Sequence, residues 1–181
     1  MVLNKIVCAA FLSLMSFSLM AQTETQPPLN KSEFEKNYLW RVEQSHIAGQ
    51  YIPKDLPDAI EELNKLTDQT SKEKFKMLNE FDAEHKMYFS LVRWVCTNWG
   101  FYEGSRMSHY LKEVGISYPE DQAVSIILAW HRSLNKNEIN FKQIRDRMVE
   151  KRQKEREERL KKAQVIKEEI KKPSPPSAVK H

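Results

Sequence analysis

The stretch Asn98-Trp99-Gly100-Phe101-Tyr102-Glu103-Gly104-Ser105-Arg106 holds the densest group of side chains able to do chemistry. Its two glycines mark a tight turn. Its aromatic rings, together with Glu103 and Arg106, offer a floor and polar groups of the kind that hold a carbohydrate or a peptide. The same residues have a plainer use. Gly100 can take the left-handed conformation that closes a helix, with Trp99 and Phe101 supplying the apolar contact of that closure, and Arg106 can pair with Glu103 or Asp121. Ser105 follows Gly104 but lacks the Gly-x-Ser-x-Gly elbow of a serine nucleophile, and it fits a helix N-cap.

Further along, Asp121, His131 and Arg132 extend the set of candidates. His109 or His131 with Asp121 would make a general base or part of a metal site. There is, however, no His-Glu-x-x-His, no Cys-x-x-Cys and no Gly-rich phosphate loop, and these are the spacings that metal and nucleotide chemistry need. Glu103 and Asp121 are a possible carboxylate pair, but glycoside hydrolysis requires the two groups roughly 5–10 Å apart, a distance that sequence does not supply. Cys96 has neither a helix N-terminus nor a basic neighbour to lower its pKa, so it reads as a structural thiol. The expected ligand-binding set is Trp99, Tyr102, Glu103, Arg106, Asp121, His131 and Arg132. No catalytic residue, metal ligand or cofactor is expected.

The elements that must position these residues read as all-α. Glycines number only four, alternating apolar patterns are nearly absent, and helix start signals recur. Ser32 with Glu35 is a capping-box pattern opening a helix to about Ile47, ended by Ala48-Gly49. Asp55 before Leu56-Pro57 is an N-cap with proline in the first turn, and Leu56, Ala59, Ile60, Leu63 and Leu66 share the following apolar face. Thr70 with Glu73 predicts a short helix through Phe75 and Leu78. Asp82 predicts a longer one with Tyr88, Leu91, Val92, Val95 and Trp99 on one face, which makes it the expected central helix. Ser105 to Gly115 and Pro119 to Leu134 are two more. The expected fold is a compact bundle of about five to six short helices, followed by a long, charged, solvent-exposed C-terminal helix.

That last helix is expected from about Phe141 to Lys172. After Ile144 and Met148 its apolar spacing stops, and Glu150/Lys154, Glu155/Arg159, Glu157/Lys161 and Glu158/Lys162 appear as pairs four apart, each adding a few tenths of a kcal/mol to a solvated helix. Leu160, Ala163, Ile166 and Ile170 leave a coiled-coil strand as the alternative to a lone rod. Charge divides along the same line. Residues 22–135 hold 13 Lys and Arg against 17 Asp and Glu, whereas residues 136–181 hold 15 against 8.

The ends bear on place. Met1 to Lys5 is a short basic start, Ile6 to Met20 an apolar or small-residue run, and Ala21-Gln22 a small-residue cleavage site, the order of a secretory signal. About 15 apolar residues fall short of the roughly 20 that span a bilayer, so no stable membrane span is expected after cleavage. Cys8 lies inside the apolar run and would leave with it, so Cys96 would be the only cysteine and no internal disulfide would form. The expected organisation is signal 1–21, polar linker 22–31, helical domain 32–148, charged helix 149–172 and a Pro-containing disordered tail 173–181.

Tyr51-Ile52-Pro53-Lys54-Asp55-Leu56, Asn98-Trp99-Gly100, Ser105-Arg106, Tyr110, Gly115-Ile116, Pro119 and Asp121, then Ile127-Leu128, His131-Arg132 and Leu134-Asn135 form an ordered series. By it the chain, across residues 51–145, resembles an uncharacterised bacterial family met mainly in Bacteroidetes, domain of unknown function 6794. Phe101-Tyr102 stands where that family carries Leu-Trp, and Gln122-Ala123 where Asp-Met is commoner. The resemblance implies a helical domain, often behind a signal, and carries no known activity.

These readings converge on an exported protein, periplasmic or secreted, and on a non-enzymatic interaction module of the bacterial envelope. The basic C-terminal helix would meet another protein or an anionic envelope component, since an exported chain rarely encounters nucleic acid. The alternative is a small envelope hydrolase or carbohydrate- or peptide-binding protein using the Trp99–Arg106 turn. Side chains converging on one cleft would favour it.

Overall fold

A computed structural model describes residues 28–171. The expected signal (1–21), most of the linker and the tail (173–181) lie outside the described residues. The chain divides into two units, Met1–Glu35 and Lys36–His181. In the described part of the first, the Asn30 side chain accepts from the Glu33 N–H while Glu33 accepts from the Leu29 N–H. This reciprocal cap, rather than Ser32 with Glu35, opens α1, Lys31–Glu43. Glu35 instead forms an exposed pair with Lys31 at 3.6 Å.

In the second unit, α1 ends four residues short of Ile47 because the chain turns into a hairpin. Strands β1 (His46–Ile47) and β2 (Gln50–Tyr51) pair antiparallel. Ala48 and Gly49 both have positive φ, 49° and 78°, as the two central residues of a type I′ turn require. Helices α2 (Leu56–Leu66), α3 (Gln69–Lys76) and α4 (Glu80–Lys86) come next. Asp55 caps α2 as expected, accepting from the Asp58 N–H, and the helix buries the stripe Leu56, Ala59, Ile60 and Leu63. The caps of α3 and α4 are Asp68 and Asn79, not Thr70 and Asp82. In each case the side chain that starts the helix stands two or three residues earlier, and Asp82 donates its backbone N–H to Asn79.

The helix expected from Asp82 to Trp99 is broken in three. After α4 comes a π-helical turn, Tyr88–Val92, then α5, Arg93–Asn98. The Val92 N–H reaches back five residues to the Met87 carbonyl at 3.1 Å, and this extra residue rotates α5 about its axis. Val92, Val95, Cys96 and Trp99 thereby face the core, while Leu91 is only half-buried. The axis of the core is instead α7, Pro119–Leu134, in which every residue from Asp121 to His131 is buried. A helix buried on all sides has neighbours all round, and α2, α3, α4, the π turn, α5, α6 (Arg106–Glu113) and α8 (Phe141–Lys171) all pack on it.

Glycine closes α5 by the expected motif. Gly100 at φ 65° donates to the Thr97 carbonyl, and the Phe101 N–H reaches the Cys96 carbonyl at 2.9 Å, a full Schellman closure. The all-α reading holds, with the small hairpin its one exception among the described residues. The long final helix also holds: α8 spans 31 residues, about 46 Å at 1.5 Å per residue. Ile144 and Met148 are buried, whereas every residue from Arg156 to Ala163 is exposed.

Candidate functional site

The turn after α5 places its residues by the Schellman closure. Trp99 is fully buried, with its ring edge-on to Trp94 at 6.3 Å, and Phe101 is buried beside it. Two rings of the expected floor, Trp99 and Phe101, therefore belong to the core. Tyr102 is half exposed. Glu103 reaches back to Arg41 of α1 at 2.7 Å. At Gly104, φ is 94° and a Cβ would lie 2.3 Å from the Tyr38 ring, so α1 rests directly on this backbone. The Tyr38 hydroxyl hydrogen-bonds His109 Nδ1 at 2.9 Å, and Lys112 sits over the Tyr38 ring. Ser105 caps α6 as expected, accepting from the Ser108 N–H.

Arg106 pairs with neither Glu103 nor Asp121. Its Nε donates to the Ile52 carbonyl at 2.6 Å, and its guanidinium lies over the Tyr51 ring. Tyr51 in turn donates to Asp58 at 2.7 Å, and the Lys54 N–H donates to the same oxygen. Burial works to raise the Asp58 carboxyl. The hydrogen bonds from Lys54 and Tyr51, with the Arg106 charge nearby, outweigh it and hold the group below the usual carboxylate range. Arg106 thus ties the hairpin to α6, while Tyr51 ties it to α2 through Asp58.

The other three candidates are spent elsewhere. Asp121, 3 % exposed, takes both arms of Arg152 from α8, with Nη2 donating at 2.8 Å. His131 donates from Nε2 to the Leu78 carbonyl at 2.8 Å; a carbonyl can only accept, so this nitrogen carries the proton and buried Nδ1 is left without a partner. Arg132 makes a two-bond pair with Glu80 and also donates to the Ile139 carbonyl. The Arg132 bond and charge hold the Glu80 carboxyl below its ordinary range. The seven residues do not converge: Trp99 is a core ring, Tyr102 is half exposed, and the other five tie α1, the hairpin, the Leu78 turn, α4 and α8 to their neighbours. Burial pushes the Cys96 thiol up to about 11, so it is protonated at neutral pH. Among the described residues, no three His, Cys, Asp or Glu gather as a metal cage.

A different feature is open. Between the end of α2, α3, the π turn, α5 and α7 lies a hollow of about 510 Å³, walled by Leu63, Leu66, Leu91 and Trp94 and floored by Phe75 and Trp130. The two floor rings are stacked at 4.7 Å, and Trp130 Nε1 is satisfied by Asn64. The hydroxyl-bearing side chains of the lining are Thr67, Ser71 and Ser90; Ser71 donates to Asp68 at 2.6 Å and Ser90 to the Met87 carbonyl at 3.4 Å. Leu66 is 49 % exposed and Trp94 37 %. Spacing marked most of these residues as inward stripes and did not reveal that one stretch of the stripes lacks a cover. Trp94, an aromatic one position off the core face, was the available signal.

Fold and side-chain geometry together define an all-α domain whose polar residues fasten helices and whose hollow beside α2 is lined mainly by apolar side chains. Residues 52–134 match the family described as a domain of unknown function (DUF6794). No curated protein and no solved structure matches the chain. Several residues that carried the resemblance have structural work: Asp55 and Ser105 cap, Gly100 closes a helix, and Arg106, Asp121 and Arg132 fasten. Among the described residues, no helix is long and apolar enough to cross a membrane.

Proposed function

We propose that the protein is an exported, non-enzymatic interaction module of the bacterial cell envelope, periplasmic or secreted. Its helical body is the folded unit, and its charged C-terminal helix engages an anionic envelope component or an acidic protein. The observation that carries this reading is α8. Its described ion pairs with the body run through Arg147 and Lys151 to Glu84 and Arg152 to Asp121, and the residues from Arg156 to Ala163 are exposed and rich in charge. The described side chains from Arg156 to Ala163 add nothing to the core, and a charged, exposed helical surface of this kind suits contact with another molecule. The reading of the Trp99–Arg106 turn as a hydrolase or carbohydrate site draws no support from the geometry, because Trp99 is buried and Arg106 is engaged with Ile52 and Tyr51.

Truncation after Arg156 keeps every one of those body contacts and removes the exposed turns. The truncated protein is expected to unfold at the same urea concentration as the full chain, yet to lose crosslinked partners in the native envelope and co-sedimentation with phosphatidylglycerol vesicles. Retention of both would overturn the role of the rod. Export is checked by intact mass: protein recovered outside the cytoplasm should lack residues 1–21, and a full-mass cytoplasmic product would contradict it.

A further inference from the structure

We infer that the hollow between α2, α3, the π turn, α5 and α7 is a binding site for an uncharged, largely apolar small molecule with one neutral polar end. Its volume, about 510 Å³, falls within the roughly 300–1,000 Å³ of small-molecule sites. The floor of stacked Phe75 and Trp130 is a flat aromatic surface, and Leu63, Leu66, Leu91 and Trp94 supply aliphatic and aromatic walls.

The lining selects against charge. In a chain whose residues are 30 % charged, none of the lining side chains is ionisable. A carboxylate or sulfonate entering here would give up hydration with no cationic side chain in the lining to replace it, and with the Asp68 carboxylate behind Ser71. The Ser71 hydroxyl already donates to Asp68 and the Ser90 hydroxyl to the Met87 carbonyl, so these two offer acceptor lone pairs while Thr67 can donate or accept, which suits an alcohol or an amide. The apolar surface is also local: exposed charges Lys65 and Arg93 stand next in sequence to Leu66 and Trp94. A long amphipathic helix, which needs an apolar track of several turns, finds only a pocket. The π turn is what opens the wall, since its extra residue takes Leu91 out of the core stripe and sets it beside Ser90. Such turns recur at functional sites. A bound molecule would cover the exposed parts of Leu66 and Trp94, the apolar surface this corner leaves in water.

The test is a titration of the full chain with N-phenyl-1-naphthylamine, an uncharged aromatic dye that brightens in apolar surroundings. Saturable one-site binding is expected. Ser90→Arg and Leu66→Gln, on opposite walls, should each weaken it about tenfold or more while unfolding at the parent temperature. Met77→Gln, an equally apolar exposed position outside the hollow, should leave it unchanged. The anionic analogue 1-anilinonaphthalene-8-sulfonate should bind about fivefold more weakly or worse. Absence of saturable binding, undiminished binding by both wall variants, or tighter binding of the sulfonate would overturn the site. A dye-reversible dimer in sedimentation would likewise overturn it, by giving the hollow to a second copy. The chain truncated after Arg156 should bind the dye as the full chain does, so loss of the rod's partners and loss of this site are separate results.

Discussion

The corner at Gly100 to Arg106 and the hollow beside α2 are both rich in aromatic residues, yet they differ in what their side chains have left to offer. At the corner, Trp99 and Phe101 are sealed by a helix closure, Glu103 is held by Arg41, and Arg106 is held by Ile52 and Tyr51. In the hollow, Leu66 and Trp94 stay partly in water over a Phe75–Trp130 floor. Polar residues close together in sequence are drawn into fastening long-range contacts, because a buried polar group without a partner costs more than a made hydrogen bond returns. Apolar residues around a gap have no such obligation. The difference teaches that the corner is read out as stability and the hollow as binding.

The largest expected effect lies at the far end of the fastening network. Arg152→Ala should cost about 3 kcal/mol in urea unfolding at neutral pH, because it strands the buried Asp121 carboxylate. Asp121→Asn in the same background should recover part of the loss. No recovery would mean that the pair is not the cause.

Next comes Gly104→Ala, whose new methyl meets the Tyr38 ring at an unfavourable φ and should cost about 2 kcal/mol. Hydrogen exchange should speed up in α1 from Lys36 to Glu43, and Tyr38→Ala should relieve the clash but not the backbone strain. Dye affinity should not move in either variant.

A smaller effect is acid dependence. Because Arg132 lowers the Glu80 pKa in the folded state, this pair's contribution is present above the unfolded value of about 4.3. It fades as pH falls through the lower folded value. Glu80→Gln should therefore be less stable than the parent at pH 7, by no more than about 1 kcal/mol given solvent screening at a partly exposed site. The gap should close below about pH 4. A gap that widens in acid would contradict the pairing.

The smallest change is a gain. Lys136 closes α7 at φ 57° with the two Schellman hydrogen bonds, to Ser133 and from Asn137 to Arg132. A non-glycine residue there carries strain, so Lys136→Gly should add about 0.5–1 kcal/mol in the same urea assay.

Much of the fold was legible from local chemistry. Asp55, Ser105 and Gly100 act on neighbours within a few residues, so their types and spacing sufficed, and the loss of apolar spacing after Met148 marked where α8 leaves the body. Competing signals were harder. Asp68 and Asn79 lie close to Thr70 and Asp82, and only packing on α7 decides which turn is the first. The π turn leaves no motif, since it comes from fitting one extra residue against that same helix. The candidate site was the least legible part. Arg152 and Asp121 lie 31 residues apart, and no local pattern links them. For the hollow, a period of 3.6 shows which residues share a face but not whether a neighbour covers that face.

One experiment sets the two regions against each other: urea unfolding and naphthylamine titration run side by side on Arg106→Ala and Ser90→Arg. Arg106→Ala is expected to lower the unfolding midpoint and leave dye affinity within about twofold, whereas Ser90→Arg is expected to keep the midpoint and weaken the dye about tenfold. An Arg106→Ala protein of parental stability that no longer binds, or a Ser90→Arg protein that binds as the parent does, would contradict the division of labour.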